Sequence, residues 1–379
     1  MNKSIFGRVC IVFVLVGVLM TACGGGGGGQ AAVTSSGFAC PEPEAKVTVS
    51  SKELNMFVWT EYIPQDIIEC FQLVYGVQIN RDEFSSAEEM LSKLSKGGVG
   101  YDVVHVSDNV VVPSIRLGLL EKLDHDRLPI LSYFNPQYMD LPFDPGNMYT
   151  LPYEAGTDAI IYNKDTVANP PQSWADLWDP AYEGRIVSIE DSRAIIGMTL
   201  LTLGYDVNTT DPQQLEEAKA KLVELMPNIK VFNSDSPKSD LLAGDVDLGI
   251  IWTGEAVLVQ QENPSFVYTY PAEGAILWQD NWAIAAGAPH ADAAYAWLNY
   301  SMQPNLFWMM LRDFPYINPN TAALDFAKTN QPDLYKAYMA STVTNVPPEA
   351  SANGHFIADV GDALTLFDRI WTESKSGGQ

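Results

Sequence analysis

From about Val47 onwards, short apolar runs alternate with amphipathic helical segments, and this alternation restricts the chain to an α/β fold. The run "LNMFVW" predicts a strand, and Pro64 suits the first turn of a helix that Gly76 ends. Further strands are predicted at "YDVVHV", "DAIIYN", "RIVSI" and "DLGIIW". Helices layered on largely parallel sheets follow from this pattern. Because 379 residues are many for one core, we expect two lobes.

The N-terminus carries the features of export. Lys3 and Arg8 precede the apolar run "VCIVFVLVGVLMTA". Because this run is too short to span a bilayer, residues 1–22 are predicted to be a signal peptide. The tetrapeptide "MTAC" resembles a bacterial lipobox and predicts a lipid on Cys23. Residues 23–45 then form a predicted glycine-rich linker. The predicted location is lipid-anchored, in the periplasm or on the outer face of the cytoplasmic membrane.

Charge and cysteine content narrow the classes of partner. The formal net charge of -25 argues against nucleic acid and anionic lipid surfaces, and it fits a cationic ligand or simple solubility. An exported compartment permits a disulfide between Cys40 and Cys70, and two unpaired thiols fit the sequence almost as well.

The sequence has no constellation of residues that predicts catalysis. It contains no H-E-x-x-H, C-x-x-C, G-x-S-x-G or P-loop spacing, so neither a metal site nor a cofactor is predicted. The neighbouring acids Glu190 and Asp191 could in principle serve a glycoside hydrolase. Adjacent side chains at a strand end usually point apart, however, which leaves one of them at the surface.

One acid stands in an otherwise apolar segment, "ILWQDNWAI", where Asp280 lies between Trp278 and Trp282. Burying an ionised carboxylate costs free energy unless a partner neutralises it. That partner is either a cation of the protein or one that comes from outside.

Six motifs together carry a resemblance to a known family. They are "FVWTEYIPQDIIECF", "YDVV", "GYDVNTTDP", "LMPNIKVFNSDSP", "LGIIWTGEA" and "AILWQDNWAI", in this order. The chain therefore resembles the bacterial spermidine/putrescine-binding proteins of ABC transporters. The similarity runs from about Leu54 to Ala323, with a weaker echo in "NGHFIADVG".

The resemblance implies a two-lobe, hinged periplasmic-binding-protein fold of type II-like class, with a ligand cleft between the lobes and no catalytic activity. It implies a monomer that delivers a polyamine to a membrane permease. Chain crossings between the lobes are expected near "LPYEAGTD" and "LWQDNW". Lobe 1 is predicted to contain approximately residues 46–155 and 279–324, and lobe 2 approximately residues 156–278 and 325–379.

The resemblance also implies a set of ligand-binding residues. A polyamine needs aromatic faces along its methylenes and acids at its nitrogens, and cation–π contacts add roughly 0.5–2 kcal/mol each. Asp280 is expected to pair with an amine, with water solvating this acid in an empty cleft, and Asp191 is expected to hold a terminal amine. The aromatic walls are expected to be Trp59, Trp252, Trp278 and Tyr316, and the polar positions around them Thr60, Glu61, Tyr62, Ser107 and Ser234.

Three positions depart from the family pattern. Ala194 stands where the spermidine binder has a second acid, Asn109 replaces an aromatic residue, and Ile357 replaces a glutamine. The resemblance implies that these positions recognise one end of the longer polyamine, so their loss predicts a shorter diamine or another amine as the ligand. Alternatives are the same fold with another organic cation, a sugar or an amino-acid derivative, a hydrolase using Glu190 or Asp191, and an adhesion module.

Overall fold

The computed structural model describes residues 32–97 and 100–377 of the chain. The predicted signal peptide, residues 1–22, and the predicted lipidation site Cys23 lie outside these residues. Within the described part, ten strands belong to one sheet. They are β1 (Glu53–Trp59), β2 (Gln78–Phe84), β3 (Val103–Ser107), β4 (Thr150–Asn163), β5 (Ile186–Ser188), β6 (Ile229–Phe232), β7 (Leu248–Trp252), β8 (Phe266–Thr269), β9 (Ile276–Ile284) and β10 (His355–Phe356).

Helices separate most of the strands and dominate the C-terminal part of the chain. They are α1 (Gln65–Tyr75), α2 (Ala87–Ser95), α3 (Asp108–Arg116), α4 (Ser192–Thr202), α5 (Pro212–Leu225), α6 (Pro237–Ala243), α7 (Thr253–Glu262), α8 (Ala291–Ser301), α9 (Pro304–Phe307), α10 (Met310–Asp313), α11 (Thr321–Asn330), α12 (Pro332–Ala340), α13 (Pro348–Ala352) and α14 (Leu364–Gly377). The predicted first helix is confirmed: α1 follows Pro64 and ends at Gly76, which has a left-handed backbone. Among the helices of residues 32–97 and 100–377, none combines the length and apolar character needed to cross a bilayer.

Two sets of parallel strands occupy opposite halves of the sheet. β1 pairs in parallel with β2 and β3, and β5 pairs in parallel with β6 and β7. The strand order is β2-β1-β3-β9-β4-β7-β5-β6, with β8 paired to β4 and β10 to β9. The long strands β4 and β9 therefore join the two halves, close to both predicted crossings.

The central strands differ from the largely parallel sheet predicted. β4 runs antiparallel to β9 over Thr150–Asp158 and antiparallel to β7 over Asp158–Tyr162. The run "DAIIYN" predicted only the second half of β4. A strand buried on both faces is apolar throughout, so its sequence does not reveal the direction of its neighbours.

Each half of the sheet has a hydrophobic core on both faces. In the first half, Trp297 of α8 lies in the cluster on one face and Met90 of α2 in the cluster on the other. In the second half, Phe367 of α14 and Leu241 of α6 belong to the corresponding clusters. The predicted α/β class is confirmed. The lobe boundaries stay a prediction, and α11 and α12 contribute buried residues to the same cluster as Trp297.

The described part of the predicted linker is attached to the first half. Cys40 and Cys70 are joined as a disulfide, with their Cα atoms 5.2 Å apart. Nearby, Thr34 Oγ1 donates a hydrogen bond to Asp66 Oδ1 at 2.7 Å, and Tyr300 Oη donates to the carbonyl oxygen of Pro41 at 2.9 Å. From Ala32 onwards the predicted linker therefore packs on the first half of the sheet.

Candidate ligand-binding cleft

The carboxyl ends of the parallel strands from both halves meet at one place. β1 ends at Trp59 and β3 at Ser107 in the first half, whereas β7 ends at Trp252 and β5 leads to Asp191 in the second. Crevices at the carboxyl ends of strands are the usual ligand sites of α/β folds. Strand topology thus brings together residues that are distant in sequence.

A cleft with about 730 Å³ of empty space, open solvent at its mouth included, lies between these strand ends. Its lining includes every predicted binding residue: Trp59, Thr60, Glu61, Tyr62, Ser107, Asp191, Ser234, Trp252, Trp278, Asp280 and Tyr316. Seven further residues line it: Asp108, Asn109, Asp158, Asp235, Glu255, Ile276 and Ile357. The structure therefore brings the predicted set together, and its role in binding stays a prediction.

Asp280 lies on β9 opposite Ser107 of β3 and Glu154 of β4. Ser107 Oγ donates a hydrogen bond to its Oδ1 at 2.5 Å, and Tyr62 Oη donates to its Oδ2 at 3.0 Å. Because Asp280 is only 6% exposed, burial raises its pKa to about 6, although both hydrogen bonds favour the charged form.

Among the residues that the structure describes, Asp280 has no basic side chain as an ion-pair partner. Within the described residues, no lysine, arginine or histidine nitrogen lies within 4.0 Å of Asp280. Two protein hydroxyl groups donate hydrogen bonds to it. The positive charge that would neutralise it is thus not provided by an ion pair among these residues.

Aromatic rings form the walls around this acid. The ring centroids of Trp59 and Trp252 are 6.1 Å apart, and those of Trp278 and Tyr316 are 5.4 Å apart. Tyr62 meets the Tyr316 ring edge-on at 5.3 Å. The three tryptophans are half-buried, so part of each ring remains available to a molecule in the cleft.

Two glycines allow the rings to lie directly on the backbone. A Cβ atom at Gly156 would lie 2.7 Å from Trp278 Cη2, and one at Gly254 would lie 2.6 Å from Tyr316 Cε2. Both distances are shorter than van der Waals contact, so any larger residue would displace the ring. Sequence analysis did not single out either glycine.

Asp158 fixes the same tryptophan from its polar edge. Its Oδ1 accepts a hydrogen bond from Trp278 Nε1 at 2.8 Å. Burial raises its pKa well above the usual range, and the charge of Asp191 adds to this shift. Asp108 behaves similarly: burial, followed by the charge of Asp280, raises its pKa although backbone N–H groups donate to it. The floor of the cleft thus holds several carboxyl groups that favour the neutral form when no cation is near.

Asp191 is at once the N-cap of α4 and a cleft residue. Its Oδ1 accepts a hydrogen bond from the backbone N–H of Ala194 at 2.9 Å, and burial raises its pKa despite this bond. Glu88 of α2 approaches from the first half of the sheet. Ser192, the first residue of α4, donates a hydrogen bond from its Oγ to Glu88 Oε1 at 2.6 Å. Burial and the charge of Asp191 raise the pKa of Glu88 to about 7.

The neighbouring acids Glu190 and Asp191 point apart, as predicted. Glu190 is exposed and pairs with Lys375, whereas Asp191 lines the cleft. The backbone N–H of Glu190 donates to Ser234 Oγ at 2.7 Å, which fixes that hydroxyl at the cleft.

Two predicted residues lie at the first-half side of the cleft. Thr60 Oγ1 donates to the carbonyl oxygen of Phe84 at 3.2 Å. Glu61 is exposed, and Lys238 Nζ lies 2.9 Å from its Oε2.

Three buried acids that line the cleft were missed by sequence analysis, although they lie in or beside quoted motifs. Asp108 follows β3, Asp158 lies within β4 and Glu255 follows β7. Asp158 and Glu255 stand directly before apolar runs, and Asp108 lies two positions from Val106 and from Val110. Asp280 was identified because it interrupts an apolar segment, whereas these three acids stand near the ends of such segments, which is a weaker signal.

The cleft is therefore acidic as well as aromatic. Its described lining contains seven carboxyl groups and neither lysine nor arginine. These carboxyl groups do not make a metal centre, since in residues 32–97 and 100–377 no group of three or more His, Cys, Asp or Glu side chains has a suitable arrangement. The arrangement suits an organic cation with an apolar body.

The family model of the bacterial extracellular solute-binding proteins matches residues 66–340. The chain belongs to this family. This solute-binding protein is 35% identical over 328 residues to the spermidine/putrescine-binding periplasmic protein of Escherichia coli, with 86% of this chain and 92% of that protein covered. The family relationship that the six motifs indicated is thereby confirmed.

Solved structures agree with this assignment. The solute-binding protein matches a putative spermidine/putrescine ABC transporter protein from Listeria monocytogenes with a TM-score of 0.81 at 29% identity, over 86% of this chain and 99% of that one. It matches a lipoprotein of Treponema pallidum with a TM-score of 0.73 at 25% identity, over 86% and 99%. The family consists of binding proteins for transport and not of enzymes, so the predicted protein class is confirmed.

Proposed function

We propose that this solute-binding protein captures a polyamine of the putrescine/spermidine class and delivers it to an ABC-transporter permease. The observation that carries the proposal is Asp280, a buried carboxylate that two hydroxyl groups hold between aromatic walls and that pairs with no basic side chain in residues 32–97 and 100–377. An alkylammonium ion satisfies both features at once, because its charge pairs with the acid and its methylenes pack on the rings.

The names of the relatives support the same ligand class. The Escherichia coli relative is named a spermidine/putrescine-binding protein, and a Pseudomonas aeruginosa relative that is 29% identical over 345 residues is named a putrescine/cadaverine-binding protein. These names cover diamines and a triamine. An acidic, aromatic cleft in a chain of net charge -25 is consistent with either.

The lining favours the shorter members of that class. Asn109 and Ile357 line the cleft at positions where the family resemblance implies an aromatic residue and a glutamine. Ala194 adds no carboxyl group at the Asp191 end. With fewer charged or polar partners there, a third ammonium group would gain little free energy.

Anchoring and transport complete the proposal. The "MTAC" motif supports lipidation of Cys23, and the Treponema pallidum neighbour is itself named a lipoprotein. We therefore propose a monomeric protein held by lipid outside the cytoplasmic membrane, whose lobes close on the ligand. Membrane fractionation of Cys23→Ser tests the anchor: the variant should appear in the soluble fraction, and unchanged membrane association would contradict it.

An amine panel tests the ligand class. Thermal unfolding of the soluble domain is measured with putrescine, cadaverine, spermidine and spermine, and with glucose and 1,4-butanediol as uncharged controls. A ligand at about 100 times its dissociation constant should stabilise the fold by roughly 2.7 kcal/mol. Stabilisation by 1,4-butanediol or glucose, or no stabilisation by any amine, would contradict the proposal.

Affinity for a diamine should depend on pH through Asp280. Its pKa in the free protein is raised to about 6, while an alkylammonium group stays charged up to a pH of about 10. As the pH falls through about 6 the affinity should decrease, approaching tenfold per pH unit, because a proton and the ligand compete for the carboxylate. Titration calorimetry between pH 5 and 8 measures this, and a flat profile would exclude Asp280 as the amine's partner.

Gly156→Ala should weaken binding without unfolding the protein. The added Cβ displaces the Trp278 ring and its hydrogen bond to Asp158. Loss of one desolvated cation–π contact corresponds to a fall in affinity of about tenfold. Gly197→Ala is the matched control, since its Cβ would meet only ordinary contacts at 3.6 Å or longer. Equal affinities in both variants would contradict the positioning role of Gly156.

A further inference from the structure

One lysine places a positive charge at the edge of the acidic cleft. Lys238 Nζ lies 2.9 Å from Glu61 Oε2 and 3.0 Å from Glu255 Oε1, and both acids line the cavity. Among the described basic side chains, it alone has a nitrogen within 4.0 Å of a carboxylate that lines the cleft. Glu61 follows β1 of the first half, whereas Lys238 and Glu255 belong to α6 and α7 of the second.

The lysine is held firmly in this position. The Glu255 side chain is only 8% exposed, and it also accepts a hydrogen bond from the backbone N–H of Lys238 at 3.3 Å. Burial raises the pKa of Glu255, and the charge of Lys238 opposes that shift. The Lys238 side chain is itself 21% exposed, so its ammonium is partly withdrawn from water.

A lysine side chain has the chemistry of a polyamine end, an alkyl chain that carries a primary ammonium. We propose that Lys238 acts as a built-in cation that occupies the Glu61–Glu255 end of the cleft and thereby selects diamines over triamines. This inference rests on the proposed function. The ammonium groups of the ligand then pair with the other acids of the cleft, among them Asp280.

Selection follows from charge. A diamine places its two ammonium groups among the cleft acids other than Glu61 and Glu255, and it leaves Lys238 in place. A third ammonium directed toward Glu61 would meet the like charge of Lys238, and it would have to displace that lysine or stay unpaired. Without the lysine, Glu61 and Glu255 become free to pair with a ligand.

The test compares Lys238→Met with the parent protein by titration calorimetry with putrescine and spermidine. The affinity ratio of spermidine to putrescine should rise by about tenfold or more in the variant, because two acids become free for the third ammonium. Lys230→Met is the matched control, since Asp245 is the single ion-pair partner of Lys230 within the described residues and Lys230 is 47% exposed outside the cleft. It removes the same charge and should keep the parental ratio. Lys238→Arg should also keep it.

Three outcomes would overturn the inference: a parental ratio in Lys238→Met, a raised ratio in Lys230→Met, or a raised ratio in Lys238→Arg. If the parent protein binds amines and one of these outcomes is found, the proposed function still holds. Absence of amine binding by the parent itself would overturn both. If thermal unfolding shows that Lys238→Met does not fold, Lys238→Gln takes its place under the same criteria.

Discussion

Asp280→Asn should lower the affinity for putrescine by about a hundredfold or more. The substitution keeps the shape and one hydrogen-bond acceptor for Tyr62, but it removes the charge. A ligand ammonium would then enter a buried site with its charge uncompensated, at a loss on the order of 3–5 kcal/mol. Titration calorimetry at pH 7.5 measures the difference.

The same substitution should stabilise the empty protein. The pKa of Asp280 is raised from 3.8 to about 6 by burial, so the folded state binds a proton more tightly than the unfolded chain between these values. Stability is therefore lost as the pH rises through this window, and the full loss is present above it. Asparagine avoids that loss, so Asp280→Asn should increase the free energy of unfolding at pH 7.5 by on the order of 1–3 kcal/mol.

Asp245→Asn is the control for this pair of measurements. It removes a carboxylate that is paired with Lys230 and 66% exposed, so neither affinity nor stability should change appreciably. If Asp280→Asn lowers the affinity for putrescine and raises the free energy of unfolding, and Asp245→Asn does neither, the Asp280 carboxylate contributes to ligand binding and not to folding. A variant that binds putrescine as the parent does would place the amine elsewhere.

Removal of the disulfide should produce the second large effect. The bond joins Cys40 to Cys70, which are separated by 30 residues. Closing a loop of this length lowers the conformational entropy of the unfolded chain and thereby increases the free energy of unfolding by about 3–4 kcal/mol. The double variant Cys40→Ser/Cys70→Ser should lose free energy of unfolding of that order in urea titrations, while its affinity for putrescine should stay close to that of the parent because neither cysteine lines the cleft.

Reducing agent provides the control. It should destabilise the parent toward the level of the double variant, and it should leave the double variant unchanged. Equal stability of the parent with and without reductant, together with two titratable thiols in denatured, non-reduced protein, would contradict the bond.

Local sequence patterns predicted the elements that build the cleft. The apolar runs "LNMFVW" and "DLGIIW" stop at Trp59 and Trp252, where β1 and β7 end at the cleft. The resemblance then placed the predicted binding residues, and all of them line one cavity. Strand ends are readable because a run of apolar residues stops there, and the next polar side chain faces the crevice.

Contacts between distant segments could not be read in the same way. The antiparallel course of β4 and β9 depends on pairing between residues more than a hundred positions apart, which apolar runs do not record. Lys238 reaches Glu61 across 177 positions, and nothing near either residue indicates the pair. Gly156 has an ordinary backbone, so only the three-dimensional contact with Trp278 shows why a side chain is excluded.

A crystal structure of the protein with putrescine tests the central claim most directly. We predict one ammonium nitrogen at about 3 Å from the Asp280 carboxylate, with the methylenes against Trp59, Trp252 and Trp278. A diamine that lies away from Asp280, or a cleft that binds an uncharged solute in its place, would contradict the account.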